Sequence, residues 1–485
     1  MNENLAKPLK LNTKRTCLIG FAFFGILLLW QVYDSWCPTF LTDIFARTFY
    51  GSTSSELATL GDEAVLKVQW LVGIIMACDN LAALILLPIF GSLSDKTKTP
   101  IGKRMPYILL GTMVAAIAFP FIPFFFHQNR VVGLVIMMAL VLLFMMMYRN
   151  PAVALMPDIT PKPLRAKANG IINIMGYFGG ACATVLGLVP LMKLSNYIKS
   201  DVAVRNIWSI ELPFIIASVL MVVSAFVLFF TVKENKLHEE LKEEMEQGEL
   251  QAAIADKIDD NKPMTKANKT MLFGILGAEF LWFMADNAIG TYVGNYVIYY
   301  LGSESSKTMM LTIIGGVASV AGFAIAGMIA DKIGRKWTIS LGLGITFLAL
   351  IIMCFAFPQT TKTYTNAQGI EYNKLPVILN VVWVLKGFGM ALVHNCSFPM
   401  VVELCSTKHI GKFTGFYYAA SMSAQTITPV LLGLIFRATL KWGVLPIYSS
   451  ALILISFLVF TLIVKNIKAE KVQNAKGLEA LGADD

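Results

Sequence analysis

The chain has 485 residues, 56% of them hydrophobic and only 15% charged. Soluble domains carry about 25% charged residues. Here the apolar residues fall into separate runs long enough to cross about 30 Å of hydrocarbon, without the alternation of membrane strands, which excludes a soluble globular protein and a β-barrel. The formal net charge of +9 would suit nucleic acid, but its distribution along the chain points to lipid instead. The seven cysteines, at 17, 37, 78, 182, 354, 396 and 405, form no CxxC and have no histidine at ligand spacing, so neither disulfides, a metal site nor a cofactor is expected.

In chain order, a polar, basic tail (1–15) leads into an apolar run too long for a signal peptide, and no removed signal is expected. Six apolar segments follow, at about 16–40, 68–93, 107–126, 131–157, 168–192 and 210–232. Next comes a Glu/Lys-rich stretch, 233–269, beginning "KENKLHEELKEEMEQGEL" and read as a solvated helix and connector. Six more segments lie at about 271–301, 308–330, 337–357, 377–404, 413–436 and 444–464. The fold class expected is an all-α membrane protein of twelve transmembrane helices in two six-helix bundles, 16–232 and 270–466, with a polar tail at 467–485. With the N-terminus inside, the inner segments hold 27 Lys and Arg and the outer loops 11. That excess predicts both termini in the cytoplasm and accounts for the basic charge without nucleic acid.

The halves repeat. Leu29-Trp30-x3-Asp34-x4-Thr39-Phe40 recurs as Leu281-Trp282-x3-Asp286-x4-Thr291-Tyr292. Gly91-x3-Asp95, followed by Gly102-Lys103-Arg104, recurs as Gly327-x3-Asp331, followed by Gly334-Arg335-Lys336. Asp158-x11-Gly170 recurs as Glu403-x11-Gly415. The offsets, 252, 236 and 245, differ by amounts that nearly match the differing lengths of polar loops. Asp34 and Asp286 are therefore expected to face one another across a pseudo-two-fold axis.

"GSLSDKTKTPIGKRMP" (91–106) with "GMIADKIGRK" (327–336) resembles the short cytoplasmic loop motif of the major facilitator superfamily. The longer first copy is similar to that of the glycoside–pentoside–hexuronide:cation symporters, in particular their sucrose-transporter-like branch. The resemblance implies the twelve-helix carrier fold and a motif that latches one side closed. Asp95, Lys103, Arg104, Asp331 and Arg335 are then gating residues. Asp158 and Glu403, at equivalent inner helix ends, are expected to form a second latch with Arg165 or Lys412. The chain departs from the melibiose-permease end of the family, which places paired acids on the second span; here that span holds only Asp79 before the motif.

Charges at membrane depth are costly and face a cavity or a partner. By distance from polar flanks, Asp79 and Lys386 lie near the midplane, Arg149, Glu279 and His394 somewhat off it, and Asp34 and Asp286 toward the outer half. Asp79, Arg149, Glu279, Lys386 and His394 form the expected cation-coupling set. A static Glu279–Lys386 pair and a purely structural Asp79 are the bland alternatives. A desolvated carboxylate can take a proton, and two oxygens can hold Na⁺; the proton is favoured. Sugars call for aromatic faces beside amides and carboxylates. With the six cavity-lining helices implied by the resemblance, the substrate candidates are Trp30, Gln31, Asp34, Asn173, Tyr177, Trp282, Asp286, Asn287, Trp383, Tyr418 and Gln425. Gly170, Gly176, Gly179 and Gly180 are read as permitting close helix contact.

The function expected is symport of a glycoside or other small sugar with H⁺ or Na⁺ by a monomeric, multi-pass protein of the cell membrane. A carrier for another solute, such as a lysolipid or drug, by uniport or antiport, is the alternative. A membrane enzyme finds no nucleophile–base pair or metal set, and intramembrane charges speak against a non-transporting scaffold.

Overall fold

A computed structural model describes residues 9–51, 62–189, 192–200, 205–259, 266–366, 369–403 and 410–465. Among them are twelve helices long and apolar enough to cross a membrane. They are α1 (Thr13–Tyr50), α2 (Asp62–Lys96), α3 (Met105–Ala118, continued by Phe121–His127), α4 (Val131–Asp158), α5 (Arg165–Leu186) and α6 (Trp208–Thr231). The second six are α7 (Lys266–Asn295, ending in a π turn, Tyr296–Tyr300), α8 (Ser306–Ile333), α9 (Arg335–Met353), α10 (Ile378–Glu403), α11 (Ile410–Thr439) and α12 (Val444–Ile463). Every expected span is present within a few residues, apart from α1. Its helix runs ten residues past the expected end because Asp43 and Arg47 pair at 2.7 Å within one turn and stay inside. A self-neutralising i,i+4 pair does not end a helix as two free charges would.

The packing repeats with a period of six helices. α1 lies on α5 and α6 as α7 lies on α11 and α12. α4 lies on α2 and α3 as α10 lies on α8 and α9. The glycines of α5 serve this packing: a methyl group on Gly179 would lie 2.2 Å from the Phe24 carbonyl oxygen, and one on Gly176 would meet Leu27. The halves meet through α2 with α11, α5 with α8 and α1 with α7. The polar connector holds two short helices, Glu234–Glu240 and Lys242–Asp259. The second lies against the α4–α5 turn, where Gly248 meets Pro161. We call the side bearing these helices the linker face and the opposite side the far face.

Between α9 and α10, on the far face, a hairpin pairs β1 (Thr363–Thr365) with β2 (Glu371–Asn373), Tyr364 opposite Tyr372.

Candidate functional site

Helix α1 is the most enclosed span, packed by α2, α4, α5, α6 and α7. From Ala22 to Ala46 its accessible residues are Leu27, Trp30, Gln31, Asp34 and Ser35; all others are buried. Their spacing draws one narrow stripe on a helix. Because protein surrounds the helix, that stripe faces an internal hollow and not lipid. On α7 the accessible positions include Phe283, Asp286, Asn287, Gly290 and Gly294, at the same spacing.

The acids on these stripes lie near the middle of their helices, since α1 extends well past Asp34 and α7 past Asp286; Asp34 sits deeper than the sequence suggested, because α1 runs past its expected end. Asp34 forms no hydrogen bond or ion pair with described residues. Asp79, 5% exposed at the midpoint of α2, lies within electrostatic reach of both Asp34 and Arg149. Asp79 accepts a hydrogen bond from the Asn80 side chain at 2.9 Å. Three charged groups on α1, α2 and α4 thus converge.

In the second half Lys386 of α10 makes a hydrogen-bonded ion pair with Asp286 of α7. His394 of α10 is close enough to act on Asp286 electrostatically, and its ring lies 5.4 Å from that of Phe283. A static pair of Lys386 with Glu279 is the bland alternative weighed from the sequence. That acid is fully buried two turns along α7, and Lys386 reaches the carboxylate that shares the hollow with it.

The substrate candidates separate. Trp30 is half-buried with its ring edge-on to Tyr33 at 6.0 Å, and Gln31 donates to Ser35 Oγ at 3.1 Å. Asn287, Tyr418 and Gln425 are partly accessible, and Tyr177 is half exposed. Trp282, paired with Trp30 in sequence, is fully buried. Trp383 is 7% exposed, packed against Gly315 of α8. Asn173 is 1% exposed. In this conformation these three belong to the packing, because a repeated motif preserves a residue's place on the helix but not what covers it.

Of the gating candidates, Arg104 ties three elements together. Its guanidinium pairs with Asp95 at the end of α2, donates to Asp158 at the end of α4 at 2.8 Å, and reaches Ser94. Lys103 adds a 3.0 Å contact to Asp158. Asp158 thus joins the Asp95–Arg104 cluster. Its expected partner Arg165 instead donates to the carbonyls of Pro157 at 2.9 Å and Thr160 at 3.1 Å, fastening the α4–α5 turn. Gly91 has a use the motif did not reveal: a methyl group there would lie 2.3 Å from Asn150 Nδ2. In the second half Asp331 is exposed and makes no ion pair with described residues. The side chains of Glu403 and Lys412 lie outside the described residues.

Sequence reasoning missed the far-face contacts between the halves. Asn295 of α7 accepts from Thr39 at 2.9 Å and donates to Thr42 at 2.8 Å and Gln69 at 3.3 Å. Tyr292 donates to the Gln69 and Pro429 carbonyls. There α2 and α11 touch backbone to backbone: a methyl on Gly73 would lie 2.1 Å from Pro429 O, and one on Gly433 2.6 Å from Gln69 O. Farther out, Lys193 pairs with Glu304 at 2.8 Å. The Asn196 side chain accepts from Tyr372 at 2.8 Å and Asn366 at 2.9 Å, clasping the hairpin to the first half. Burial pushes the Glu304 carboxyl up, but hydrogen bonds from Lys193 and Ser306, with the Lys193 charge, bring it below the usual carboxylate range. Most of these residues are uncharged, and nothing in their spacing marks them. These contacts join the two halves on the far face.

The Major Facilitator Superfamily model matches residues 19–364 and 275–481. The lactose permease of Lactobacillus helveticus is 22% identical over 381 residues, 71% of this chain and 57% of that protein. That of Leuconostoc lactis is 22% identical over 359 residues, 67% and 53%. The chain thus spans a little over half the length of these relatives. Among solved structures, an inward open conformation of the xylose transporter XylE from E. coli superposes with TM-score 0.62 at 15% identity, covering 97% of this chain and 98% of that one. The POT family transporter PepTSo gives TM-score 0.61 at 12% identity, covering 94% and 98%. At such identities the likeness is one of fold.

Proposed function

The chain belongs to the major facilitator superfamily, and on that premise we propose that it is a secondary transporter, carrying a glycoside or other small sugar together with a cation by alternating access. The observation that carries the reading is Asp34, a mid-helix carboxylate that faces the internal hollow and pairs with no described cation. A charge left open at that depth costs stability unless it has work to do. Two relatives named as lactose permeases support a sugar as the cargo.

In this mechanism Asp34 and Asp79 share the coupling ion, H⁺ in preference to Na⁺. Its arrival cancels negative charge beside Arg149 and so changes the pull between α1, α2 and α4. The sugar lies between the α1 stripe of Trp30, Gln31 and Asp34 and the α7 stripe around Asn287, with Tyr177, Tyr418 and Gln425 as further polar or aromatic contacts. The Asp286–Lys386 pair offers the sugar an acceptor and a donor without net charge. The excess of Lys and Arg supports a cytoplasmic linker face and cytoplasmic termini. The protein then sits in the cell membrane with its outward side shut. One chain holds both halves of the site, so a monomer suffices.

Proteoliposomes containing the purified chain test this with labelled lactose, sucrose and xylose under an imposed H⁺ or Na⁺ gradient. Accumulation driven by one gradient is expected. Uptake indifferent to collapse of both gradients would remove symport, and no uptake of any sugar would remove the cargo class.

A further inference from the structure

Glu234 stands in a run of exposed residues, yet it is only 4% exposed. Its carboxylate accepts from three successive backbone N–H groups at the start of α3: Lys103 at 3.0 Å, Arg104 at 3.0 Å and Met105 at 3.2 Å. The first N–H groups of a helix have no partner within it, and negative charge is favoured there. The N-cap position of α3 is Arg104, whose side chain caps nothing. The cap is supplied instead from about 130 residues away, by the first turn of the connector.

The α2–α3 loop is shaped to admit it. Gly102 has φ +118°, a region that favours glycine, and a Cβ there would lie 2.1 Å from Glu234 Oε2. The next connector residue, Asn235, donates to the carbonyls of Thr99 and Pro100, each at 3.0 Å. The connector therefore grips the loop on both sides of Gly102. Arg104, held by its backbone nitrogen, sends its side chain to Asp95 and Asp158. The matching helix in the other half, α9, follows Gly334, whose φ is +86°.

We infer that Glu234 is a positioning residue for the linker-face latch: it fixes the start of α3 so that Arg104 bridges α2 and α4, and it thereby fastens the connector between the halves to the gate. Its role in transport rests on the carrier reading above; the fastening itself does not. Without Glu234 the Arg104 bridge loses its footing, and the latch-bearing surface no longer presents one shape to the opposing half.

The test uses spin labels at Lys96→Cys and Lys332→Cys, the linker-face ends of α2 and α8, in the full chain lacking other reactive cysteines. Distance distributions are compared for the parent, Glu234→Ala, Glu234→Gln and Gly102→Ala. Glu234→Ala is expected to shift the open-to-closed ratio about fivefold toward open, the size of a lost helix cap. Glu234→Gln, which keeps an acceptor, should fall between it and the parent. Gly102→Ala should act like Glu234→Ala, and the double variant should be no worse than the worse single. In transport, Glu234→Ala should lower turnover at unchanged half-saturation. Unshifted distances, or additive losses in the double variant, would overturn the inference. Shifted distances in a chain that moves no sugar would sustain the fastening and remove sugar as the cargo.

Discussion

Helices α1 and α7 are twins in sequence and position, yet they hold their acids in opposite conditions. Asp34 faces the hollow without a cation among the described residues, while Asp286 is bound to Lys386. Trp30 keeps part of its surface open, while Trp282 is fully buried. On the linker face, a methyl on Gly91 would meet Asn150, whereas one on Gly327 would meet no described atom within 4 Å. On the mechanism proposed above, the first half carries the group whose charge changes, and the second a pair already neutral. An exchangeable ion needs a carboxylate that is not already satisfied.

The largest expected effect falls on the open acid. Asp34→Asn should abolish gradient-driven accumulation while leaving sugar exchange across the membrane, whereas Asp286→Asn should leave accumulation measurable. Equal losses in the two variants, measured in proteoliposomes, would erase the distinction between the halves. The tryptophans come next. Trp282→Ala should cost about 3–5 kcal/mol of stability, as for a large buried aromatic ring, read as a fall in thermal midpoint. Trp30→Ala should leave the midpoint nearly unchanged and weaken sugar binding. Lys386→Ala follows, stranding Asp286. Because the Asp286 side chain is 36% accessible, the cost should be about 1–3 kcal/mol, below that of a dry pair, and Lys386→Ala with Asp286→Asn should recover most of it.

The smallest effect concerns pH on the far face. The Glu304 carboxyl is held below the usual range, so its contribution is complete above the ordinary carboxylate value of about 4.3 and fades as pH falls through its own lower value. Accessibility of a cysteine placed at Thr363 should stay constant from neutral pH down to that region and rise below it. Glu304→Gln should flatten the response.

The spans were legible because apolar length is a property of the chain alone. The Asp95–Arg104 latch was legible because the motif is local. Other features depended on what the folded chain brings near. Glu234 looks like its acidic neighbours, and only Gly102, a glycine just before two cations, hinted that a backbone there must let something in. Asp43 and Arg47 lie past the expected end of the first span, yet their pairing keeps them buried within the protein. Trp282 shows the limit of repeat arguments: equal spacing gave it Trp30's place on the helix, but its neighbours enclosed it.

The meeting of Gly73 with Pro429 and of Gly433 with Gln69 has a consequence for leakage. Main chain against main chain leaves no flexible side chain to swing aside at that contact. The barrier can yield only when whole helices part. A carrier sealed in this way should pass no current between turnovers, and its resting membrane should stay as insulating as bare lipid.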